Sequence, residues 1–334
     1  MSVKDSATAA LRVDGLCVDV ATPDGWATVV EDVSLAVDVG EIHGLVGESG
    51  SGKSLTAMAI MGLISHFQSA RVTGGQVLLG DVDLLALSNR ELRRRQGKDL
   101  AMVFQEPMTS LNPAFTVADQ IGESIRYHLG ASRKEARERS IELLEEVGIA
   151  DARRRCNDYP HQFSGGMRQR VMLAVALACE PRLLIADEPT TALDVTVQAQ
   201  MLELIRSLVE RHGMAVIFIT HDLGVIAEIC DRATVLYAGQ VIESGLVGEV
   251  IKGPRHPYTE GLLRSVPADD DLPLWWIDGS PPLPGRLPSG CRFSPRCEYS
   301  KDKCVTDAIP LLLDANGRAI RCARADELSL DGRD

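Results

Sequence analysis

The stretch Gly47-Glu48-Ser49-Gly50-Ser51-Gly52-Lys53-Ser54 decides the reading of this chain. It fits the pattern G-x-x-x-x-G-K-S/T in full and sits where that pattern needs to be. Before it, Ile42–Val46 is a short apolar run of the kind that forms a buried strand, and after it the run Leu55–Ile64 reads as a helix. Glycines let the backbone wrap an anion with its N–H groups, and the helix N-terminus adds positive potential. The cradle then runs from Gly47 to Leu55. In such a loop Lys53 reaches the β- and γ-phosphates of a nucleotide and the Ser54 hydroxyl binds Mg²⁺. A plain glycine-rich turn is the alternative, and the flanking strand and helix disfavour it.

A nucleotide site that uses Mg²⁺ needs a second acidic element on a neighbouring strand. Leu183-Leu-Ile-Ala-Asp187-Glu188 supplies it, with four apolar residues for a buried strand and two carboxylates at its C-terminal end, where open α/β sheets bind ligands. Asp187 is expected to hold the metal through water, and Glu188 to polarise the attacking water as general base. Taken alone, an apolar run ending in Asp-Glu is an ordinary strand end. Paired with the phosphate loop, it points to a nucleoside triphosphatase.

Around these motifs, apolar runs alternate with helical patterns, which implies α/β layering. Val33, Leu35, Val37 and Val39 alternate as a half-buried strand does; Leu100–Phe104 and Ala215–Thr220 read as further buried strands. Ser132–Val147 is a helix with Ile141, Leu144 and Val147 on one face and Gly148 as its stop. The chain has 334 residues, 45% hydrophobic and 25% charged, enough for a full core and more than one domain. Its formal charge of −12 argues against a nucleic-acid backbone as the main partner. No apolar run reaches the ~18–20 residues of a membrane span. Lys4 is followed by no apolar core or cleavage site, so the expectation is a cytoplasmic chain without a signal peptide.

At this point the chain resembles the ATP-binding cassette (ABC) family. Phe163-Ser-Gly-Gly-Met167-Arg-Gln-Arg170 is similar to the family signature Leu-Ser-Gly-Gly-Gln, with Met in place of Gln. Gln105 matches the Q-loop, Thr190-Thr-Ala-Leu-Asp194 the D-loop, and His221 the switch histidine. The resemblance implies an ABC-type P-loop NTPase: a RecA-like core, an antiparallel β-subdomain and a helical subdomain at about 106–165, all within 1–250. It implies that Ser164, Gly165 and Gly166 meet the γ-phosphate of a nucleotide held by the opposite subunit. His221 is implied to contact the γ-phosphate, and Gln105 to sense Mg²⁺ and the attacking water beside the membrane partner. Trp26, 21 residues before Gly47, is either the aromatic that stacks on adenine or a core residue of the β-subdomain. Lys53, Gln105, Glu188 and His221 are thus the expected catalytic set, and ATP hydrolysis the expected activity.

Further details resemble the oligopeptide/dipeptide importer branch. They are Gly165-Gly-Met-Arg-Gln-Arg170, Gln105-Glu-Pro-Met-Thr-Ser-Leu-Asn-Pro113, Arg255-His-Pro-Tyr-Thr259, and the run from Pro282 to Cys297. They imply a C-terminal extension over 251–334; by composition that segment is close to neutral, and its proline-rich stretch at 267–290 reads as a stiff linker. Four of the eight cysteines crowd there in the spacing C-x5-C-x6-C-x17-C: Cys291, Cys297, Cys304 and Cys322. A cytoplasmic setting disfavours disulfides. Structural Zn²⁺ sites normally show tight C-x2–4-C knuckles, absent here. Four thiolates on a short segment with a small core suit an iron–sulfur cluster, although the spacing matches no ferredoxin pattern. Some members of the branch carry a [4Fe-4S] cluster in this extension, and the resemblance favours it, with Zn²⁺ as the alternative. Cys17, Cys156, Cys179 and Cys230 read as buried fillers.

The branch implies an ATPase subunit on the cytoplasmic face of the membrane. Its implied partners are a paralogous cassette (a heterodimer), two transmembrane permeases and, through them, an extracytoplasmic peptide-binding protein. A nickel complex or another small solute is the alternative cargo. The rival class is a soluble cassette ATPase acting on nucleic acid or ribosomes. Only 109 residues separate Ser54 from Ser164, too few for the long coiled coil of DNA-repair forms, and the single cassette and net −12 disfavour translation factors. An iron–sulfur regulatory protein that merely binds nucleotide is disfavoured by the full set of hydrolysis motifs.

Overall fold

A computed structural model describes residues 9–104, 110–191, 193–266 and 276–333. They fall into two compact units, one formed by 9–37, 41–85 and the residues from 218 onward, the other by 38–40 and 86–217.

The first unit holds a four-stranded antiparallel sheet in which Ala9–Thr22 lies between Gly25–Asp38 and Ala70–Leu79, with Val82–Asp83 at the edge. Along Gly25–Asp38 the side chains of Val33, Leu35 and Val37 are buried as their alternation predicts, but Val39 lies past the strand end and is exposed. The same unit holds Ile42–Val46, buried at every residue, as a parallel neighbour of Arg232–Tyr237. Gln240–Leu246 pairs antiparallel with that strand, and Ala319–Ile320 pairs with Gln240–Leu246 in turn. A segment of the C-terminal extension is therefore built into the sheet that carries the phosphate loop.

The second unit pairs Leu100–Val103 in parallel with Leu183–Asp187. Its helices are set by local chemistry. Ser132 and Glu135 form a reciprocal capping box at the start of Arg133–Glu146, and Gly148, at φ 77°, ends it in the left-handed conformation. Ile141, Leu144 and Val147 are buried as expected. The helix after the phosphate loop is shorter than its apolar run suggests. It spans Lys53–Ile60 and stops before Gly62, leaving Ile64 in a separate single turn. Cys156, Cys179 and Cys230 are buried fillers, whereas Cys17 is half-buried. No helix among the described residues is long and apolar enough to cross a membrane.

Candidate functional site

The phosphate loop is built from backbone that only glycine supplies. Gly47, Gly50 and Gly52 have φ of 154°, 80° and 104°. A Cβ on Gly47 would stand 2.2 Å from the Leu236 carbonyl oxygen, so the loop lies directly on the next strand. Gly52 starts the helix Lys53–Ile60 with no side chain capping it, which leaves that end to an external acceptor. Lys53 is buried and folds back, its ammonium donating to the carbonyls of Gly47 at 2.6 Å and Glu48 at 3.0 Å. The Ser51 hydroxyl is buried without a protein partner. An orphaned hydroxyl, a lysine and an uncapped helix end in one cradle fit a phosphate ligand.

The backbone of Glu48 is held from an unexpected direction. Its N–H donates to the hydroxyl of Tyr258 at 2.7 Å, and its carboxylate takes a two-pronged ion pair from Arg296 at 2.7 and 3.0 Å. Burial pushes the Tyr258 hydroxyl pKa far up, so it stays neutral. Tyr237, Tyr258 and Phe293 pack around this contact with ring centroids 4.6–5.3 Å apart. The motifs that carry Tyr258 and Arg296 were legible as extension motifs, but nothing in them pointed 210 and 248 residues back to the loop.

The other expected residues are placed as follows. Trp26 is 47% exposed, with the Arg71 guanidinium 4.1 Å from its ring centroid, so it is not a packed core residue. His221 is exposed, directly after Ala215–Thr220. Trp26, the loop, His221 and the four cysteines of the extension belong to the first unit; Ser164, Gly165, Gly166, Asp187, Glu188 and Asp194 belong to the second. Asp187 is buried at the end of its strand, and Glu188 is half-buried in the left-handed conformation at φ 47°. The Thr191 hydroxyl donates to the Glu188 carboxylate at 2.9 Å. Gln105, with residues 106–109 of its motif, lies outside the described residues.

Two motif residues have a structural duty the sequence reading missed. Ser164 caps the helix Gly165–Ala176, accepting from the Met167 N–H, and Asp194 caps Val195–His212, accepting from the Val197 N–H at 3.0 Å. Ser or Asp before a helical run was itself the signal. Ser164 and Gly165 are exposed, and a Cβ on Gly165 would meet nothing within 4 Å. A Cβ on Gly166 would stand 2.8 Å from the Val197 side chain. The signature is thus a helix start with one open glycine and one closely packed glycine.

Cys291, Cys297, Cys304 and Cys322 are free thiols that line one cavity together with His256, Pro257 and Phe293. Burial pushes Cys297 up to about 12 and Cys322 up to about 11, and it raises Cys291 as well. These sulfurs share a cavity without closing on one point. No group of three or more His, Cys, Asp or Glu among the described residues is arranged to hold a metal ion. The expected iron–sulfur or Zn²⁺ centre therefore has a matching donor set but no preformed site.

Comparison with known proteins accords with this geometry. Residues 30–191 match the family model described as ABC transporter, and residues 242–304 match the oligopeptide/dipeptide transporter C-terminal region. A peptide import ATP-binding protein of Brucella melitensis is 49% identical over 331 residues, 96% of this chain and 98% of the relative. One from Brucella abortus is 51% identical over 314 residues, 93% and 94% of the two chains. Among solved structures, a dimeric ATP-binding cassette in a post-hydrolysis state bound to ADP and phosphate has a TM-score of 0.63 at 28% identity, covering 71% of this chain and 98% of that one. A cassette of an ABC transporter complex from Clostridium perfringens has a TM-score of 0.62 at 25% identity, covering 73% and 90%. The chain belongs to the ABC transporter ATPases, in the branch that carries the oligopeptide/dipeptide transporter C-terminal region.

Proposed function

We propose that this chain is the ATP-hydrolysing subunit of a peptide importer, seated at the cytoplasmic face of the membrane against two permeases that receive cargo from an extracytoplasmic binding protein. The observation that carries the ATPase reading is the phosphate cradle at 47–54, with Glu188 present as a true carboxylate held by Thr191. The match of the C-terminal region and the names of the relatives support peptides over nickel or other solutes.

In this reading 1–250 is the cassette and 251–334 the extension. Lys53 swings from the loop carbonyls to the β- and γ-phosphates, and the Ser54 hydroxyl, Asp187 and Gln105 hold Mg²⁺. Glu188 takes a proton from the attacking water while His221 orients the γ-phosphate. Trp26 offers its free face to adenine. Ser164, Gly165 and Gly166 complete the site of a second, paralogous cassette, with Asp194 near the shared seam. Closure on ATP and reopening after hydrolysis would drive the permeases. Reconstitution with its permeases and binding protein in proteoliposomes tests this: peptide uptake should need ATP and an intact Glu188. ATPase activity stimulated by nucleic acid and indifferent to the permeases would overturn it.

The four cysteines of the extension are read as ligands of an iron–sulfur cluster that staples a segment with a small core, supported by their common cavity and by the thiolate chemistry such clusters use. Anaerobic purification with iron, sulfide and zinc assays and an absorbance scan near ~400 nm decides it. Colourless protein with stoichiometric zinc would favour the single ion.

A further inference from the structure

The bond between Arg296 and Glu48 uses the whole arginine fork. Nη1 donates to one Glu48 oxygen at 2.7 Å and to the Tyr237 hydroxyl at 3.3 Å. Nη2 donates to the other Glu48 oxygen at 3.0 Å and to the Ile277 carbonyl at 3.1 Å, and Nε donates to the Asp278 carbonyl at 2.9 Å. All five N–H groups are therefore satisfied, and the side chain is only 5% exposed. Such a guanidinium is fixed in place and cannot be replaced by a flexible ammonium without losing geometry.

Its partner is the second residue of the phosphate loop. A carboxylate at that position repels a nucleotide's phosphates unless a cation neutralises it, and a loop of three positive-φ glycines has little stiffness of its own. Arg296 supplies both the charge and the anchor, and Tyr258 fixes the Glu48 N–H from the same segment. We propose that Arg296 is a positioning residue of the nucleotide site, clamping Glu48 so that the C-terminal extension shapes the phosphate loop and cancels its carboxylate. The extension thereby belongs to the ATP site of its own chain. Cys297 follows Arg296 directly, so whatever occupies the cysteine cavity borders this clamp.

The inference rests on 47–54 being the nucleotide site, and Lys53→Ala is the control for that reading. With the full chain, affinity for a fluorescent ADP analogue and the KM and kcat for Mg-ATP are measured for Arg296→Gln, Arg296→Lys and the double variant Glu48→Gln/Arg296→Gln. Arg296→Gln should raise KM and weaken ADP binding about three- to tenfold with kcat within about twofold, and Arg296→Lys should fall between it and the parent. The double variant should regain at least half of the loss, because no unpaired carboxylate remains; a purely structural role gives no such rescue. Should Arg296→Gln fail to fold, Arg296→Lys decides, together with hydrogen exchange of the nucleotide-free protein, where amides 47–52 should exchange faster than in the parent. Unchanged nucleotide affinity in folded Arg296→Gln and Arg296→Lys, or a double variant no better than Arg296→Gln, overturns the clamp. If Lys53→Ala also binds nucleotide normally, the site reading falls with it.

Discussion

The Thr191 hydroxyl donates to the Glu188 carboxylate at 2.9 Å, and the Thr191 N–H returns to the Glu188 carbonyl at 3.2 Å. Glu188 is thereby fixed at both ends in the left-handed conformation that turns it off its strand. Glu188→Gln keeps this frame but cannot take a proton from water, so ATP turnover should fall about a hundredfold or more while ATP binding persists. Thr191→Val removes this one bond while keeping the carboxylate, and a loss of roughly threefold to tenfold in kcat is expected. Steady-state ATPase assays with a parallel binding measurement check both. Full turnover in Glu188→Gln would place the base elsewhere.

The two signature glycines are predicted to fail differently. Gly165 faces open space at the first turn of an exposed helix start, where alanine is the better helix former by up to about 1 kcal/mol. Gly165→Ala should therefore melt at or above the parent temperature yet lose ATPase activity, because the new methyl would stand where the proposed second cassette brings its nucleotide. Gly166→Ala presses on Val197 and should cost about 1–3 kcal/mol of stability. Thermal melts set beside ATPase rates separate the two. A stable and fully active Gly165→Ala would show that this face meets no nucleotide.

Gly47→Ala tests the cradle at its tightest point. Its φ of 154° and the Leu236 carbonyl 2.2 Å from the added Cβ force the loop off the neighbouring strand. Backbone strain alone is about 1–3 kcal/mol, and the displaced loop should lose nucleotide affinity at least tenfold, read by titration calorimetry with Mg-ADP.

The elements that carry the ATP motifs were legible in the sequence, because each motif is local. A glycine loop between strand and helix, a strand ending in Asp187 and Glu188, and a serine before a helix announce themselves within ten residues. What the sequence concealed was long-range and made of ordinary residues. The Arg296 clamp spans 248 residues, and no periodicity marks an arginine that will meet a loop carboxylate. The insertion of Ala319–Ile320 into the loop's sheet is hidden for the same reason, since a two-residue strand has no pattern to read. The cysteines lie between these cases. Their clustering was visible and their shared cavity followed, but sulfur count cannot say how closely the thiols converge.

Directly before that inserted strand, Arg318 makes a buried ion pair whose removal should be costly. Arg318 pairs with Glu243, which is fully buried and also accepts from the N–H groups of Arg255 and His256. Burial pushes the Glu243 carboxyl above the usual carboxylate range, and Arg318 is the charge that opposes this rise. Arg318→Ala leaves Glu243 uncompensated and should destabilise the chain by about 3–5 kcal/mol near neutral pH. The sign of the pH dependence follows. With a folded pKa raised further above the unfolded value, Glu243 favours the folded state at low pH, and that contribution is lost as pH rises through the folded pKa. The deficit of Arg318→Ala relative to the parent should therefore shrink as pH falls from ~8 toward ~5, and Glu243→Gln/Arg318→Ala should flatten that dependence. Urea denaturation of the three proteins across this range measures it. A deficit that does not change with pH would show that Arg318 stabilises through packing and its bond to the Gly253 carbonyl, and not through the charge of Glu243.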